Sequence, residues 1–542
     1  MGKWYTESDL RDFEPIWILQ LDLGGKIYRF ATETISIDHD SGSYLYDGTL
    51  SDVDVTSEME FLSEDFDLPS AGVTVTFKDD LAKLIAQIVD FGSATAELSL
   101  FRKGSDDDSD DRQVLIAGRI DAPSYGAIGE PVSFNIEADW LRNSKMIPGP
   151  EGFIDQSVNW PDADDNSQGM IYPTIIGAPG SQNFSGAPVY IIDGFSDGHS
   201  GGTVHGLIAG HPVTAGTIKV LRVLGTTGAA SSLTGETVSS AMDSNGQFYS
   251  YVTLTGQYTQ GDSFFAHFNE GGGGLINPFR TESTSSGRPG HLTGGGDLIR
   301  YFLHQSGVKV DDGKTEAAAA LLNAFEFSGY IAERVDVMSF LKDEIIPLLP
   351  CSLRASSEGL YPVVWRFDAT ESDAKTSLIA NQDIFRDGLV EYQSTEVFNE
   401  ISLQYRHNAR FNTLQKQVTI TGDLSKGTSG FLWRNQYTVS SHARYGKKSL
   451  ELETEFIASR ATAGRVINWM SRAYCAKHRK IKYQAPFKFG YLQVGDVVSL
   501  TDSDLSFVNQ IVLIQAVEWA EDGLNFEFLL IPDIPRDTIP TG

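Results

Sequence analysis

The sequence predicts a mainly β, multi-domain fold with α+β elements: a β-barrel or sandwich module at each end, an α+β module, and an inserted β-sandwich-like module. Three observations predict it. A chain of 542 residues divides into several units at roughly 100–200 residues per domain. Its 53 glycines and 20 prolines punctuate short apolar runs, the texture of turns and short strands. The runs alternate with period two, as in GVTVTF, where Val73, Val75 and Phe77 oppose Thr74 and Thr76. A half-buried strand requires that alternation.

Residues 1–145 read as an N-terminal β-domain. IWILQLDLGG runs into a Gly-Gly turn and KIYRFATETISI returns from it, a hairpin signal. ATAELSLF, QVLIAGRIDAPSY and PVSFNIEAD add strands around the polar loop GSDDDSDDR. DLAKLIAQIVDF sets Leu81, Leu84, Ile85 and Ile88 at helical spacing. Residues 146–186 connect to the inserted β-module at 187–275, whose strands PVYIID, TVHGLI, TIKVLRVL, QFYSYVTLT and SFFAHF are separated by Gly/Ser/Thr loops. Residues 276–296 read as a flexible Gly/Ser-rich linker.

The α+β module covers 297–384. Asp297 is placed to cap DLIRYFLHQSG and Gly307 to stop it. KTEAAAALLNAFEF and VDVMSFLKDEIIPLL read as two further helices, and SLRASSEG with LYPVVWRFD as a hairpin. The last module, 385–535, reads as a β-domain with one helix. NEISLQYRHN and QKQVTITGD pair as a hairpin, and ASRATAGRVINWMSRAYCAKHR is the helix. KIKYQAPFKFGYL, GDVVSLTD, NQIVLIQAVEWAEDG and NFEFLLIPD are the closing strands.

A net charge of −30 repels nucleic acid at long range, which argues against a general DNA-binding role. Cys351 and Cys475 are too few for a disulfide framework and lack zinc-site spacing, so both are expected as buried or half-buried thiols of a protein made in the cytoplasm. The first residues carry acids where a signal peptide has a basic segment, and no run reaches the ~18 apolar residues of a membrane span. Met1-Gly2 with Thr6 is a short, loose match to a myristoylation signal.

No nucleophile elbow, P-loop or zinc-protease motif occurs, so no catalytic residue, cofactor or metal ligand is assigned. His199, His205 and His211 recur every six residues near Asp193 and Asp197; they read either as a metal cluster or as loop and structural histidines. Asp162, Asp164 and Asn166 hold the first three odd positions of a calcium loop. Ser167 replaces its glycine and no Glu closes it, so an acidic solvated loop is expected there and at 106–111. Charge is segregated. Ten acids and no Lys or Arg lie between Asp38 and Asp67, and eight basic residues and no acids between Arg460 and Lys488. Arg465, Arg472 and Arg479, spaced by seven, read as one helix face and, with Lys480 and Lys482, as candidate partner contacts. Their counterpart is an acidic surface in this chain or a neighbour; two solvated faces, or a strip touching DNA, are the other readings.

NEISLQY, the helix ASRATAGRVINWMSRA, the turn and strand YLQVGDVVSLTD, and NQIVLIQAVEWAEDGLNFEF resemble the end of phage tail-tip and baseplate hub proteins, a family that includes the tip attachment proteins of lambda-like phages. IYPTIIGAPG and LLPCSLRASSEGLYPVVWRFD resemble the middle of such hubs. The resemblance covers about residues 1–180 and 290–535 and leaves 187–275 outside it. It implies two hub-type β-modules packing as pseudo-equivalent barrels, with Gly495-Asp496 as a tight turn into a strand. It also implies a ring, a homotrimer, joining the tail tube (distal tail protein) to tip or fibre proteins around a path for tape measure and DNA, in a virion tail tip. An acidic lumen would let DNA pass without binding. Two other functions compete: a receptor- or glycan-binding tail protein acting through 187–275, and a cell-wall or polysaccharide hydrolase.

Overall fold

The computed structural model describes residues 15–39, 42–58, 70–77, 94–102, 112–121, 130–137, 145–149, 152–180, 185–193, 202–256, 258–259, 261–268, 273–280, 290–356, 358–392, 396–427, 429–520 and 523–531. Strand β1 (Pro15–Leu23) is apolar on both faces. Trp17, Leu19 and Leu21 enter the main core, while Ile16 and Ile18 join Ala31, Ile37, Tyr46 and Phe101 on the other side. A strand covered twice reads as a near-continuous hydrophobic run, which is what IWILQL is. β2 (Lys26–Ala31) returns across Gly24 and Gly25, whose φ angles of 68° and 89° suit a hairpin turn that glycine enters without strain. β3 (Ile35–His39), β4 (Gly42–Gly48), β5 (Leu50–Glu58), β6 (Ser70–Thr76), β7 (Thr95–Arg102), β8 (Arg112–Ile120) and β9 (Pro131–Glu137) follow. The helix expected at 80–91, the loop at 106–111 and the Met1-Gly2 signal lie outside the described residues.

The module at 187–275 closes on itself. β10 (Ala187–Asp193), β11 (Gly202–Ala209), β12 (Thr217–Val223), β13 (Ala230–Met242), β14 (Phe248–Gly256) and β15 (Ser263–His267) form a barrel in the order β10-β11-β14-β13-β12-β15. Val189, Ile191, Val204, Ile218, Val220, Val252, Leu254 and Phe264 fill it. Closure leaves no unpaired strand edge. Outside the barrel, Ile154 and Tyr172 pack on Ile192 and Leu207. The stretch expected as a flexible linker is instead tied down on both sides of 281–289. Leu275 and Leu292 are buried and joined by a 2.8 Å backbone hydrogen bond, and Leu275 N–H donates to Ile175 O. Two leucines in a Gly-rich run supply enough apolar area to anchor it.

Helix α1 (Gly295–Ser306) puts Leu298, Ile299, Phe302 and Leu303 into the core and ends at Gly307, φ 82°. Its N-cap is Gly294, not Asp297. Asp297 sits buried in the first turn, accepting from Asn277 (2.8 Å), Asn323 (3.0 Å) and Arg280 (2.8 Å), so it ties the supposed linker to the helix. α2 (Asp312–Leu322) is capped by Asp311, and α3 (Val337–Phe340) by Asp336. β16 (Cys351–Ser356) and β17 (Gly359–Val364) form the expected hairpin.

β18 (Ser377–Ile379) and β19 (Phe385–Tyr392) lead into a separate layer. There β20 (Glu400–Asn408) and β21 (Thr413–Thr421) pair as read from the sequence, flanked by β22 (Leu432–Trp433) and β23 (Ser449–Glu453) in the order β22-β21-β20-β23. Two helices cover this layer, not one: α4 (Gln436–Tyr445) and α5 (Arg460–Ala473). α4 is poor in strong helix formers and is held by a capping box between Asn435 and Thr438. The tip of the β20–β21 hairpin reaches the barrel, where Ala409 N–H donates to Ser185 O and Arg410 Nη2 to Gly228 O at 2.8 Å.

The chain then returns through β24 (Arg479–Ala485), β25 (Val497–Asp502), β26 (Phe507–Ala520) and β27 (Gly523–Leu530). These strands and the N-terminal ones make one 15-stranded sheet, β19-β24-β27-β26-β5-β6-β9-β8-β7-β1-β2-β4-β3, with β25 bridging β18 to β26. The junction is antiparallel, Trp519 facing Val55 and Val517 facing Ser57. Val55, Val517 and Trp519 are buried across it, and residues from both ends of the chain belong to one core cluster. Among the described residues β3 pairs only with β4 and β19 only with β24, so the sheet ends in two open edges.

Candidate assembly interface

The expected face of Arg465, Arg472 and Arg479 does not form as one helix surface. α5 stops at Ala473, with Tyr474 N–H capping onto Met470 O, and the chain turns with Cys475 and His478 buried. Arg479 therefore opens strand β24 instead. Lys480 and Lys482, two apart on that strand, converge on Glu527 of β27 at 3.2 and 3.7 Å. Glu527 is only 5% exposed, so these two charges serve the chain's own sheet. Arg465 and Arg472 remain on α5. Arg465 Nη1 donates to Ala324 O at 2.7 Å, and the Arg472 guanidinium lies 5.5 Å from the Tyr437 ring of α4.

Gly495 and Asp496 build a turn before β25. Gly495 has φ 90°, and a Cβ there would lie 2.1 Å from Val363 Cγ1, so conformation and space both demand glycine. Its N–H donates to Ile514 O at 2.8 Å, and Ile514 N–H donates back to Asp496 O at 2.9 Å. The Asp496 carboxylate accepts from Gln493 N–H and from Lys375 Nζ, each at 2.8 Å. The turn thus locks β25 to β26, the strand that meets the N-terminal module.

The other candidates resolve into structural roles. His211 accepts from Ile175 N–H through Nε2 at 2.9 Å and donates from Nδ1 to Pro212 O at 2.8 Å. Burial pushes its pKa down to about 4. With both nitrogens committed it has no lone pair for a metal. His205 hydrogen-bonds Asp193 at 3.1 Å and packs edge-on to Tyr251; His199 and Asp197 lie outside the described residues. No group of three or more His, Cys, Asp or Glu among the described residues is placed to hold a metal ion. Asp164 caps a short turn through Asn166 N–H at 2.9 Å, and burial raises its pKa. Cys351 and Cys475 are free and buried. An open depression of about 340 Å³ crosses β8, β7, β1 and β2. Its carboxylates are engaged, Glu97 with Arg112 and Asp22 with Gly25 N–H.

Two anchors escaped the sequence reading. Glu400, at the start of β20, accepts from Lys426 Nζ, from Lys447 Nζ at 2.7 Å and from Thr421 Oγ1 at 3.0 Å. Despite burial these donors hold its pKa down to about 2. Glu527 is the second; its signal was a lone acid in an apolar strand opposite two lysines.

Residues 434–516, from the start of α4 through most of β26, match the family model described as "Putative phage tail protein". Over this stretch the chain resembles phage tail proteins. The stretch includes the helix and the Gly495-Asp496 turn on which the resemblance rested. No curated protein matches the sequence. Solved phage tail proteins are similar in outline at low scores. One is the tail protein from Neisseria meningitidis MC58, 9% identical, covering 95% of this chain and 96% of that one, TM-score 0.38. Another is the 43 kDa tail protein of prophage MuSo2 from Shewanella oneidensis, 11% identical, covering 96% and 100%, TM-score 0.37. A third is a prophage tail protein from Listeria monocytogenes EGD-e, 9% identical, covering 94% of each chain, TM-score 0.32. Among the described residues no helix is long and apolar enough to cross a membrane.

Proposed function

We propose that this phage tail protein is a non-enzymatic structural hub at the tail tip. Copies join into a homotrimeric ring between the tail tube and the tip or fibre proteins, around the path taken by tape measure and DNA. The single sheet running from β19 to β3 carries this reading. Strands from both ends of the chain share it, and among the described residues each end of the sheet presents an open edge. Open edges template pairing with another strand, and one edge meeting the other edge of the next copy is a heterologous contact, which closes into a ring when the rotation permits. A net charge of −30 suits passage of DNA without retention. Electron cryomicroscopy of the purified chain and its parent particle tests this. The expected image is a three-fold ring at the tail tip with the sheet continuous between copies; a monomer in solution and a location away from the tip would refute it.

One observation favours a second role for the barrel, recognition of a receptor glycan. On its outer side Trp160, Tyr249, Tyr251 and His205 form a run of rings with centroids 5.0, 5.5 and 5.0 Å apart. Half-exposed rings offer apolar faces with polar rims, the chemistry a sugar ring needs. Tyr251→Ala particles that assemble normally but adsorb poorly to host cells would support it; unchanged adsorption would remove it.

A further inference from the structure

We infer that the outer surface of α4 and α5, carried by Arg444, Arg465 and Arg472, docks onto the acidic N-terminal strands of a second copy of this chain. The inference rests on the ring reading and names a contact for it beyond the sheet edges.

Residues 431–490 hold 12 of the chain's 42 Lys and Arg but only 3 of its 72 Asp and Glu. Elsewhere several cations are met by carboxylates: Arg222 by Asp262, Arg300 by Asp312, Arg366 by Asp368 and Asp373, Arg386 by Asp502 and Asp504. Within this segment Lys447 is taken by Glu400, and Lys480 and Lys482 by Glu527. Arg444, Arg465 and Arg472 have no carboxylate within ion-pair distance among the described residues.

The three also lie together. Arg465 and Arg472 are seven apart on α5, Tyr437 and Arg444 seven apart on α4, and such pairs share a helix face. Arg472 over Tyr437 joins the two faces into one band. Two of the guanidiniums are held in place, Arg472 by that ring and Arg465 by the Ala324 carbonyl. A guanidinium already oriented loses less entropy on pairing. Arg472 Nε is also shielded from solvent with no hydrogen-bond acceptor, a donor still without its partner.

Charge selects the occupant. A basic band cannot face itself, so between copies it must meet a different, acidic surface; in the ring proposed above that contact is heterologous. Every copy also carries the complement: no Lys or Arg occurs between Asp38 and Asp67. There Asp38 on β3 and Asp52 on β5 are exposed, and β3 is itself an edge of the sheet among the described residues. DNA is the lesser candidate, because the chain's overall −30 opposes its approach.

The test is self-association of the full chain by analytical ultracentrifugation in 50 and 500 mM NaCl. Three substitutions made together, R444Q, R465Q and R472Q, should weaken association at least ten-fold at 50 mM. The difference should shrink at 500 mM. The matching Arg→Lys triple, which keeps charge and is the milder change for folding, should recover part of it. D38R combined with R465E should associate more tightly than R465E alone. Unchanged association in folded triple variants, a wild-type chain monomeric at both salts, or no gain from D38R each overturns the inference. So does binding to a 30-base-pair DNA duplex that is lost in the triple variant. S36P, which blocks the β3 edge, separates the two readings. If it abolishes association while the arginine variants do not, the ring stands and this contact falls; the reverse pattern keeps this contact and removes the sheet-edge ring.

Discussion

Gly495→Ala should be among the most damaging single-methyl changes in the chain. Its φ of 90° places it in left-handed space, which costs an alanine ~1–2 kcal/mol. The added Cβ would also stand 2.1 Å from Val363 Cγ1, and Val363 is 6% exposed, so it has little room to retreat. Overpacking of this kind adds ~1–3 kcal/mol. The expected loss is then about 2–5 kcal/mol. Gly388, on β19, has φ 95° and nothing within 4 Å of its would-be Cβ. Gly388→Ala carries the backbone cost alone and should lose only ~1–2 kcal/mol. Urea unfolding followed by tryptophan fluorescence and limited proteolysis reads both. Val363→Ala should cost about 2 kcal/mol by itself, yet combined with Gly495→Ala it should lose less than the sum, because the clash has gone. Equal losses at the two glycines, with no coupling to position 363, would refute the steric half of this reasoning.

Three further outcomes are expected. Glu400 has a folded pKa of about 2 against an ordinary 4.5, so its stabilising effect is complete above that ordinary value and vanishes as pH falls through about 2. The effect is roughly 3 kcal/mol. The melting temperature of the wild type should thus drop further between pH 5 and pH 2 than that of Glu400→Gln; parallel curves would count against it. Burial raises the Cys351 thiol pKa strongly and that of Cys475 to about 12. A maleimide should therefore leave the native chain essentially unlabelled at pH 7.5 and label two thiols in urea, and rapid native labelling would contradict this. His211→Leu should destabilise the barrel region by ~1–3 kcal/mol through the orphaned Ile175 N–H. EDTA should leave the wild-type melting temperature unchanged; a chelator-sensitive wild type would restore the metal reading.

Local structure was legible where one physical signal dominated. The β20–β21 hairpin, the α1 stop at Gly307 and the Gly495-Asp496 turn each follow from alternation or from a left-handed position that glycine fills. α4 was hidden because Gln436–Tyr445 is rich in β-branched and polar residues, so only its capping box and Gly446 marked it. Arg479 was misplaced because spacing by seven was carried past a helix end fixed by burial of Cys475. The linker was misread from glycine content, although Leu275 and Leu292 were the informative residues. Glu400 could not be picked out because Lys426, Lys447 and Thr421 come from distant loops and another strand; Glu527 was marked only as a lone acid in an apolar strand, and its sequence does not say which strand it faces. The same is true of the bond between β5 and β26, whose strands are separated by more than four hundred residues.

That separation has a consequence in time. During synthesis at ~5–20 residues per second, the bare flank of β5 waits roughly 20–90 s for residues 507–520 to emerge. Until then an exposed backbone ladder sits on the nascent chain, the kind of surface that zips onto stray strands. The final strands thus act as a latch, and a truncated translation product would be expected to aggregate rather than assemble.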